Sequence, residues 1–174
     1  MKPVVHEGEE KSIDHLAPMT IACPCESIGR DLVIDVIFAN HCYTEKFVDG
    51  LHTVEQIILT EAEDRHRVFC PIRYELSHSL PSLIAELPNR RVHQTSQTRN
   101  YVYIVPLRIQ NRPYEIYFML QRAAPGSTSD LRLTVESAYV DEDGSNIRKR
   151  PNKIRFVVLA HKVLTNQAVR FAPR

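Results

Sequence analysis

The stretch "YEIYFMLQRAAPGSTSDLRLTVESAYV", residues 114–140, reads as two strands joined by a loop. Apolar and polar residues alternate in "LRLTVESAYV", whereas "AAPGSTSD" collects the small and turn-forming residues. An alternation of period two places successive side chains on opposite faces of a strand. The stretch therefore predicts two neighbouring antiparallel strands.

Two flanking segments extend this pattern in both directions. "NYVYIVPLRI", residues 100–109, precedes the pair of strands, and "KIRFVVLAHKVL", residues 153–164, follows it. Pro106 suggests a sheet edge or a bulge, because proline cannot donate a hydrogen bond to a neighbouring strand. Four successive strands with no helix between them predict a four-stranded antiparallel meander over about residues 100–164.

The segment "SLPSLIAEL", residues 79–87, has the clearest helical pattern in the chain. Ser79 suits the position that caps a helix, and Pro81 suits the first turn. The apolar residues at helical spacing are Leu80, Leu83, Ile84 and Leu87. The predicted fold class is therefore α+β, with a helix over about residues 80–88 preceding the antiparallel sheet.

The N-terminal part of the chain is less regular. "DLVIDVIFA", residues 31–39, is rich in Val and Ile and predicts a buried strand. Residues 1–30 predict an irregular arm with one short strand at "MTIAC". "TVEQIILTEAEDRHR", residues 53–67, fits either a short strand or an acidic amphipathic helix, and the pattern leaves both open.

Length and composition are those of an ordinary globular protein. The chain has 174 residues, 43 % of them apolar and 25 % charged, which predicts one domain. We divide it into an arm (1–30), an acidic strand and helix part (31–89) and a basic sheet (90–174). The polar start lacks the features of a signal peptide, and no apolar run is long enough for a membrane helix. We therefore expect a cytoplasmic protein without a membrane partner.

The net charge of +1 conceals an asymmetry along the chain. Residues 1–89 contain 7 Lys or Arg and 15 Asp or Glu, a net −8, whereas residues 90–174 contain 15 and 6, a net +9. Such a division suggests a basic surface for a polyanion, or an acidic segment that covers it. Two halves packed through complementary faces would explain it equally well, and both interpretations stay open.

A helix followed by a basic four-stranded meander, over residues 80–164, resembles the architecture of the barnase, colicin and RelE-like ribonucleases. That resemblance implies metal-independent RNA cleavage, in which the RNA 2′-hydroxyl is the nucleophile and no cofactor is needed. Other segments, including "IFANHCYTE", "FCPIRYELSHSLPSLI", "VESAYV" and "NKIRFVVLA", are similar to segments of short bacterial mobile-element proteins. This second resemblance lends no catalytic residue.

Four residues are candidates for acid–base and phosphate chemistry, namely His41, Arg73, Glu136 and Arg155. His41 comes directly after the predicted buried strand, where binding residues commonly lie, and an imidazole suits proton transfer. Arg73 and Arg155 would stabilise the phosphate, and Glu136 would share the proton transfer. A structural role is open for each: His41 could satisfy a strand end, and Arg73 or Glu136 could form an internal ion pair.

A basic run in "NIRKRPNK", residues 146–153, is a candidate phosphate-binding loop. Arg90 and Arg91 could extend this surface, with Tyr101 and Tyr103 stacking on bases. A solvated loop would explain the same run. The predicted nucleic-acid-binding residues are Arg99, Arg132, Arg148, Lys149, Arg150 and Lys153.

The four cysteines are predicted to be free thiols in a reducing cytoplasm. "CPC" leaves one residue between Cys23 and Cys25, where common structural zinc sites leave two to four. Cys42 and Cys70 would act as small core residues. Whether Cys23, Cys25, His41 and Cys70 gather around a metal is a question that the spacing leaves open.

Two functions of different classes follow from these observations. The first is a small, metal-independent RNA-cleaving effector of the toxin type, with RNA as its substrate and an antitoxin as a protein partner. The alternative is a non-enzymatic module of a mobile genetic element that binds nucleic acid or protein. The chain has 5 glycines and contains no glycine-rich phosphate loop, nucleophile elbow or two-histidine zinc helix, which argues against nucleotide-driven and triad hydrolase chemistry.

Overall fold

The computed structural model describes residues 1–61, 65–95, 100–109, 112–140 and 153–169. The side chains of residues 100, 106–109 and 112 are not described. The strands are β1 (Val4–His6), β2 (Glu9–Lys11), β3 (Met19–Cys25), β4 (Arg30–Phe38), β5 (Thr44–Lys46), β6 (Ile57–Glu61), β7 (Arg65–Phe69), β8 (Arg91–Gln94), β9 (Asn100–Ile109), β10 (Arg112–Arg122), β11 (Leu131–Val140) and β12 (Lys153–Arg155). The helices are α1 (Pro71–Ser77), α2 (Leu80–Ala85) and α3 (Phe156–Leu164).

A seven-stranded mixed sheet forms the centre of the fold, in the order β12–β8–β9–β10–β11–β4–β3. β9, β10 and β11 are antiparallel neighbours, as the alternation in residues 100–140 predicts. β11 then pairs with β4 in parallel, with Leu131 opposite Ile34 and Val135 opposite Phe38. The remaining strands form the β1–β2 hairpin and a three-stranded sheet in the order β5–β7–β6.

The predicted α+β fold with a four-stranded antiparallel meander is wrong, because the last predicted strand is mostly a helix. Only residues 153–155 of "KIRFVVLAHKVL" form a strand, and α3 begins at Phe156. Apolar residues in this segment fit a period of two and a helical period equally well, and its valines favour a strand. The burial pattern in the structure is helical, since Phe156, Leu159 and Ala160 are buried and Val158 is 40 % exposed.

The predicted separation between an acidic part and a basic sheet is also wrong. β4 is the strand predicted at residues 31–39, and its Leu32, Ile34 and Val36 are fully buried. This strand lies inside the same sheet as β8–β11, and β3, predicted at "MTIAC", forms the end of that sheet. The fold is consequently mostly β, with chain segments from both charge halves side by side.

The helix predicted over residues 80–88 is confirmed as α2, which continues into a 3₁₀ turn at Leu87–Asn89. The ambiguous segment at residues 53–67 contains the strand β6 and the first residues of the strand β7. Among the described residues, none of the helices has the length and apolar character needed to cross a membrane.

Helix α3 packs across the curled central sheet. It contacts β12, β10 and β3, although β12 and β3 are at opposite ends of the strand order. Phe156 lies 6.1 Å from Phe118 of β10 between ring centroids, and both side chains are fully buried. The backbone N–H of Phe156 donates to the carbonyl of Arg90, which fixes the start of the helix. α3 thereby joins the two ends of the sheet over one apolar core.

An ion pair connects the loop before β11 to β4. Arg30 donates to both carboxylate oxygens of Asp130, at 2.7 and 2.6 Å, and the backbone N–H of Val33 donates to the same carboxylate at 2.8 Å. The hydrogen bonds from Arg30 lower the pKa of Asp130 from its usual 3.8 to about 2. Because the pKa is depressed in the folded state, this contribution to stability is present above pH 4 and is lost as the pH falls towards 2.

Asp130→Asn is expected to lower the free energy of unfolding at pH 7 by about 1–2 kcal/mol, because the amide loses the charge that Arg30 and Val33 contact. The loss is no larger because Arg30 is half exposed, and solvent weakens its attraction to the carboxylate. Urea unfolding at pH 7 and at pH 2.5 would measure the effect. The difference from the unmodified protein should shrink at the lower pH, and a difference that is equal at both pH values would contradict the role of the charge.

Candidate functional site

A 3₁₀ turn at Asn40–Cys42 follows β4 and packs against β11. The backbone N–H of Ala39 donates to the carbonyl of Val135 at 2.9 Å, and the thiol of Cys42 contacts the same carbonyl at 3.7 Å. β4 pairs with β11 only as far as Phe38, opposite Val135. The turn that follows β4 lies beside β11 from that point on. Cys42 is consequently fully buried against β11, whereas His41 is partly exposed.

His41 forms a hydrogen-bonded pair with Glu61 at the end of β6. His41 Nε2 lies 2.8 Å from Glu61 Oε1, and Asn40 Nδ2 donates to the same oxygen at 3.1 Å. Partial burial raises the pKa of Glu61, but the hydrogen bonds from His41 and Asn40 and the nearby charge of Arg67 outweigh it and lower the pKa overall. Glu61 is therefore a charged acceptor that orients the imidazole, leaving His41 Nδ1 without a partner among the described residues.

Two arginines lie directly behind this pair. Arg73 Nη1 donates to the carbonyls of His41 and Thr44, at 3.3 and 2.9 Å, and its guanidinium lies 5.2 Å from the ring centroid of Tyr139. Arg67 is 8 % exposed and donates to the hydroxyl and the carbonyl of Thr44. Burial lowers the pKa of Arg67, and the charge of Glu61 opposes that change. Both guanidinium groups therefore hold the backbone that carries His41.

Glu136 lies on β11 near the same turn. Tyr117 pairs with Ser137 and Phe118 pairs with Val135, so the β10–β11 register skips Glu136 at a bulge. The predicted alternation along β11 accordingly holds from Leu131 to Val135 and shifts by one residue afterwards. Bulges redirect side chains and are common near binding sites.

Arg155 lies at the opposite end of β4 from His41. It lines a cleft together with Cys25 and Ser27, and Cys25 pairs with Arg30 at the start of β4. The eight residue steps from Arg30 to Phe38 span about 26 Å at about 3.3 Å per residue. The structure thus brings His41 and Arg73 together, and it places Arg155 too far away to contact the same phosphate.

A row of cations lies on β12 and β8 at the end of the central sheet. Arg155 pairs directly with Arg91, and Lys153 of β12 pairs with His93. Lys153, Arg91 and Arg155 are exposed, and none of the three side chains has a hydrogen bond or ion pair among the described residues. Arg90, in contrast, is neutralised by Glu86. We call Lys153, Arg155 and Arg91 the basic edge.

The other predicted nucleic-acid-binding residues have different positions. Arg132 is partly buried on β11, between Gln121 of β10 and Asp35 of β4. The predicted stacking by Tyr101 and Tyr103 does not fit, because the two side chains are 2 % and 3 % exposed and belong to the core. The residues that lie outside the described part of the chain are Arg99, Arg148, Lys149 and Arg150.

All four cysteines are free and buried. Burial raises the pKa of the Cys23 thiol to about 11 and that of Cys42 to about 12, so neither is a reactive thiolate at neutral pH. Among the described residues, no group of three or more His, Cys, Asp or Glu side chains is placed to hold a metal ion. Cys42 and Cys70 are buried as predicted, whereas Cys23, Cys25, His41 and Cys70 do not gather into a metal site.

Sequence reasoning missed Glu61, Arg67 and the pairing of Arg91 with Arg155. Glu61 and Arg67 lie in the segment that fits both a strand and a helix, so their relation to His41 could not be derived. A charged residue directly after the apolar run "IILT" was the only local signal for Glu61. The sequence indicates that Arg91 could extend a basic surface, but its position opposite Arg155 depends on the pairing of β8 with β12.

These elements define a mostly β protein with a curled, mixed seven-stranded sheet. A His–Glu pair lies beyond one end of β4, and the basic edge lies at the end of the sheet. The model of the YjaZ family matches residues 3–164, and the chain belongs to the YjaZ family. No curated protein and no solved structure matches the chain.

Proposed function

We propose that the protein is a nucleic-acid-binding module that contacts the phosphate backbone of a strand through its basic edge. The observation that supports the proposal is the direct pairing of Arg91 with Arg155, both exposed and without an acidic partner among the described residues. Like charges that face each other across two strands destabilise a sheet, and a bound anion removes that repulsion. Guanidinium groups match the geometry of phosphate as well as that of carboxylate, so a phosphate is a suitable anion for this pair.

The geometry of β12 suits a chain of phosphates rather than a single one. Lys153 and Arg155 are two residues apart on the same strand, so they share a face at a spacing of about 6.6 Å. Arg91 adds a third cation from the neighbouring strand. The net +9 of residues 90–174 increases the long-range attraction for a polyanion.

Arg91→Gln and Arg155→Gln are each expected to weaken the binding of single-stranded RNA and to reduce the slope of log affinity against log salt by about 0.7 per lost phosphate contact. Fluorescence anisotropy with a labelled oligonucleotide over a range of salt concentrations measures both quantities. Lys46→Gln is the matched control, because Lys46 is exposed on β5, outside the central sheet. The same titration with duplex DNA shows whether the strand type matters.

The proposal fails if the unmodified protein binds neither RNA nor DNA at low salt. It also fails if Lys46→Gln reduces the affinity and the salt slope as much as the two arginine variants do. Either result favours a protein partner, the other interpretation of the basic surface.

A second candidate function is RNA cleavage at the His41–Glu61 pair, and the 2.8 Å bond between them favours it. An imidazole oriented by a carboxylate is a common general base, and it would take the proton of the RNA 2′-hydroxyl while that oxygen attacks the adjacent phosphorus. The bond from phosphorus to the 5′-oxygen then breaks, and the departing 5′-oxygen takes a proton from the imidazolium or from water, which leaves a 2′,3′-cyclic phosphate. The Nε and Nη2 donors of Arg73 have no partner among the described residues and could contact a phosphate oxygen. Arg155 has no part in this version of the reaction.

A further inference from the structure

A cleft of about 400 Å³ lies where the end of β3 meets helix α3, next to the basic edge. The 3₁₀ turns at Glu26–Ile28 and Leu87–Asn89 provide two of its walls, and α3 provides another. Its volume falls within the range of about 300–1,000 Å³ that is typical of small-molecule sites. Arg155 lines the cleft and also belongs to the basic edge, so the two features are continuous.

The helix presents one face to this cleft. Val157, Val158 and His161 line it, at the spacing that places residues on a single side of a helix. Arg155 and His161 therefore contribute two nitrogen-rich side chains to the same cavity. Neither side chain has a hydrogen bond or ion pair among the described residues, which leaves both able to contact a ligand.

The rest of the lining combines an acceptor with apolar walls. Glu26 places a carboxylate in the cleft, Asn89 adds an amide that can donate and accept, and Pro24 and Pro88 provide apolar surface. A small bare anion would be repelled by Glu26. A ligand that carries a phosphate, N–H donors and a flat apolar body would satisfy all of these groups together.

We propose that this cleft binds one nucleotide of the bound strand, with its phosphate on Arg155 and His161. The base lies between the prolines and Val158, and its N–H edge donates to Glu26. The inference rests on the proposed function, since the nucleotide in the cleft belongs to the nucleic-acid strand that is bound along the basic edge. Sequence-specific recognition of single-stranded RNA commonly acts on unstacked bases, whose edges form hydrogen bonds with the protein.

The test is a titration of the full chain with the four ribonucleoside 5′-monophosphates, with inorganic phosphate and with the nucleosides alone, monitored by two-dimensional amide NMR. We expect at least one monophosphate to bind about tenfold more tightly than phosphate or its own nucleoside, since both halves of the ligand contribute. The perturbed amides should include those of residues 25–27 and 157–161. Arg155→Gln and His161→Gln should each lower the affinity for the nucleotide by about tenfold.

Arg91→Gln is the matched control, because Arg91 pairs with Arg155 but does not line the cleft. It should weaken RNA binding and leave nucleotide binding within about twofold. Val158→Glu tests the cleft independently: Val158 is 40 % exposed, so the fold should tolerate the change, while the new carboxylate should abolish nucleotide binding. Equal affinity for phosphate and nucleotide, or nucleotide binding unchanged in His161→Gln and Val158→Glu, overturns the inference.

Failures of the two proposals give different results. RNA binding that depends on Arg91, without any nucleotide binding, would overturn the nucleotide site and leave the proposed function in place. Nucleotide binding that depends on His161, without RNA or DNA binding, would overturn the proposed function and with it the assignment of the cleft to a bound strand.

Discussion

Phe156→Ala is expected to lower the free energy of unfolding by about 3–5 kcal/mol, the usual cost of removing a buried aromatic ring. Phe156 is fully buried, contacts Phe118, and begins the helix that joins the two ends of the curled sheet. The truncation would leave a cavity between α3 and β10. Urea unfolding monitored by circular dichroism measures the change.

Val158→Ala is the control that separates the helix from the predicted strand. In a strand Val158 would share the buried face of Phe156, and its truncation would also be costly. In the observed helix Val158 is 40 % exposed, so we expect a change within about 0.5 kcal/mol. A large loss for Val158→Ala together with a small loss for Phe156→Ala would contradict the position of α3.

The strands that the sequence predicts well are those whose own pattern determines their conformation. β4, β9, β10 and β11 combine β-branched or aromatic residues with clear turn signals, and all four are present. The C-terminal segment lacks such a deciding feature. "RFVVLAHKVL" contains neither Gly nor Pro, and tertiary packing selects the helix, through contacts that include Phe118 of β10 and the turn at Leu87–Asn89.

Pairing between distant strands is the part of the fold that local patterns cannot specify. β4 and β11 are about 100 residues apart in the chain, and a strand that is apolar on one face can pair in parallel or antiparallel. The ion pair between Arg30 and Asp130 favours the parallel arrangement, because it ties the first residue of β4 to the residue before β11. Nothing in either segment alone indicates that contact.

In the candidate site, too, local sequence predicts the position of single residues but not the contacts between distant ones. His41 was predicted because it follows a buried strand, and the structure does place it at a partly exposed turn. Its partner Glu61 is the last residue of β6 in the three-stranded sheet, so the contact between the two side chains depends on how that sheet packs beside the turn after β4. Arg155 is predicted to stabilise the phosphate from the last strand of a four-stranded antiparallel sheet, and helix α3 replaces most of that strand.

For the second candidate function, cleavage at the His41–Glu61 pair, His41→Ala is expected to reduce RNA cleavage by about 100- to 10,000-fold, the range typical of losing a general acid or base. Glu61→Gln should reduce it less, because the amide still accepts a hydrogen bond from His41 but no longer stabilises the protonated imidazole. Both variants should keep a melting temperature within a few degrees of the unmodified protein, since a partly exposed His–Glu pair contributes about 0–1 kcal/mol. Gel assays with a labelled oligonucleotide and thermal unfolding provide the two measurements.

His66→Ala is the matched control, because His66 is also a partly exposed histidine with one side-chain hydrogen bond, to Thr60, on the strand beside Glu61. Lost cleavage in His41→Ala with normal cleavage in His66→Ala would assign the reaction to the His41–Glu61 pair. Lower melting temperature with cleavage retained per folded molecule would make His41 a structural residue. The distinction is sharp because Arg67 and Arg73 hold the backbone of this turn independently of the imidazole, so removing the ring should disturb the chemistry far more than the fold.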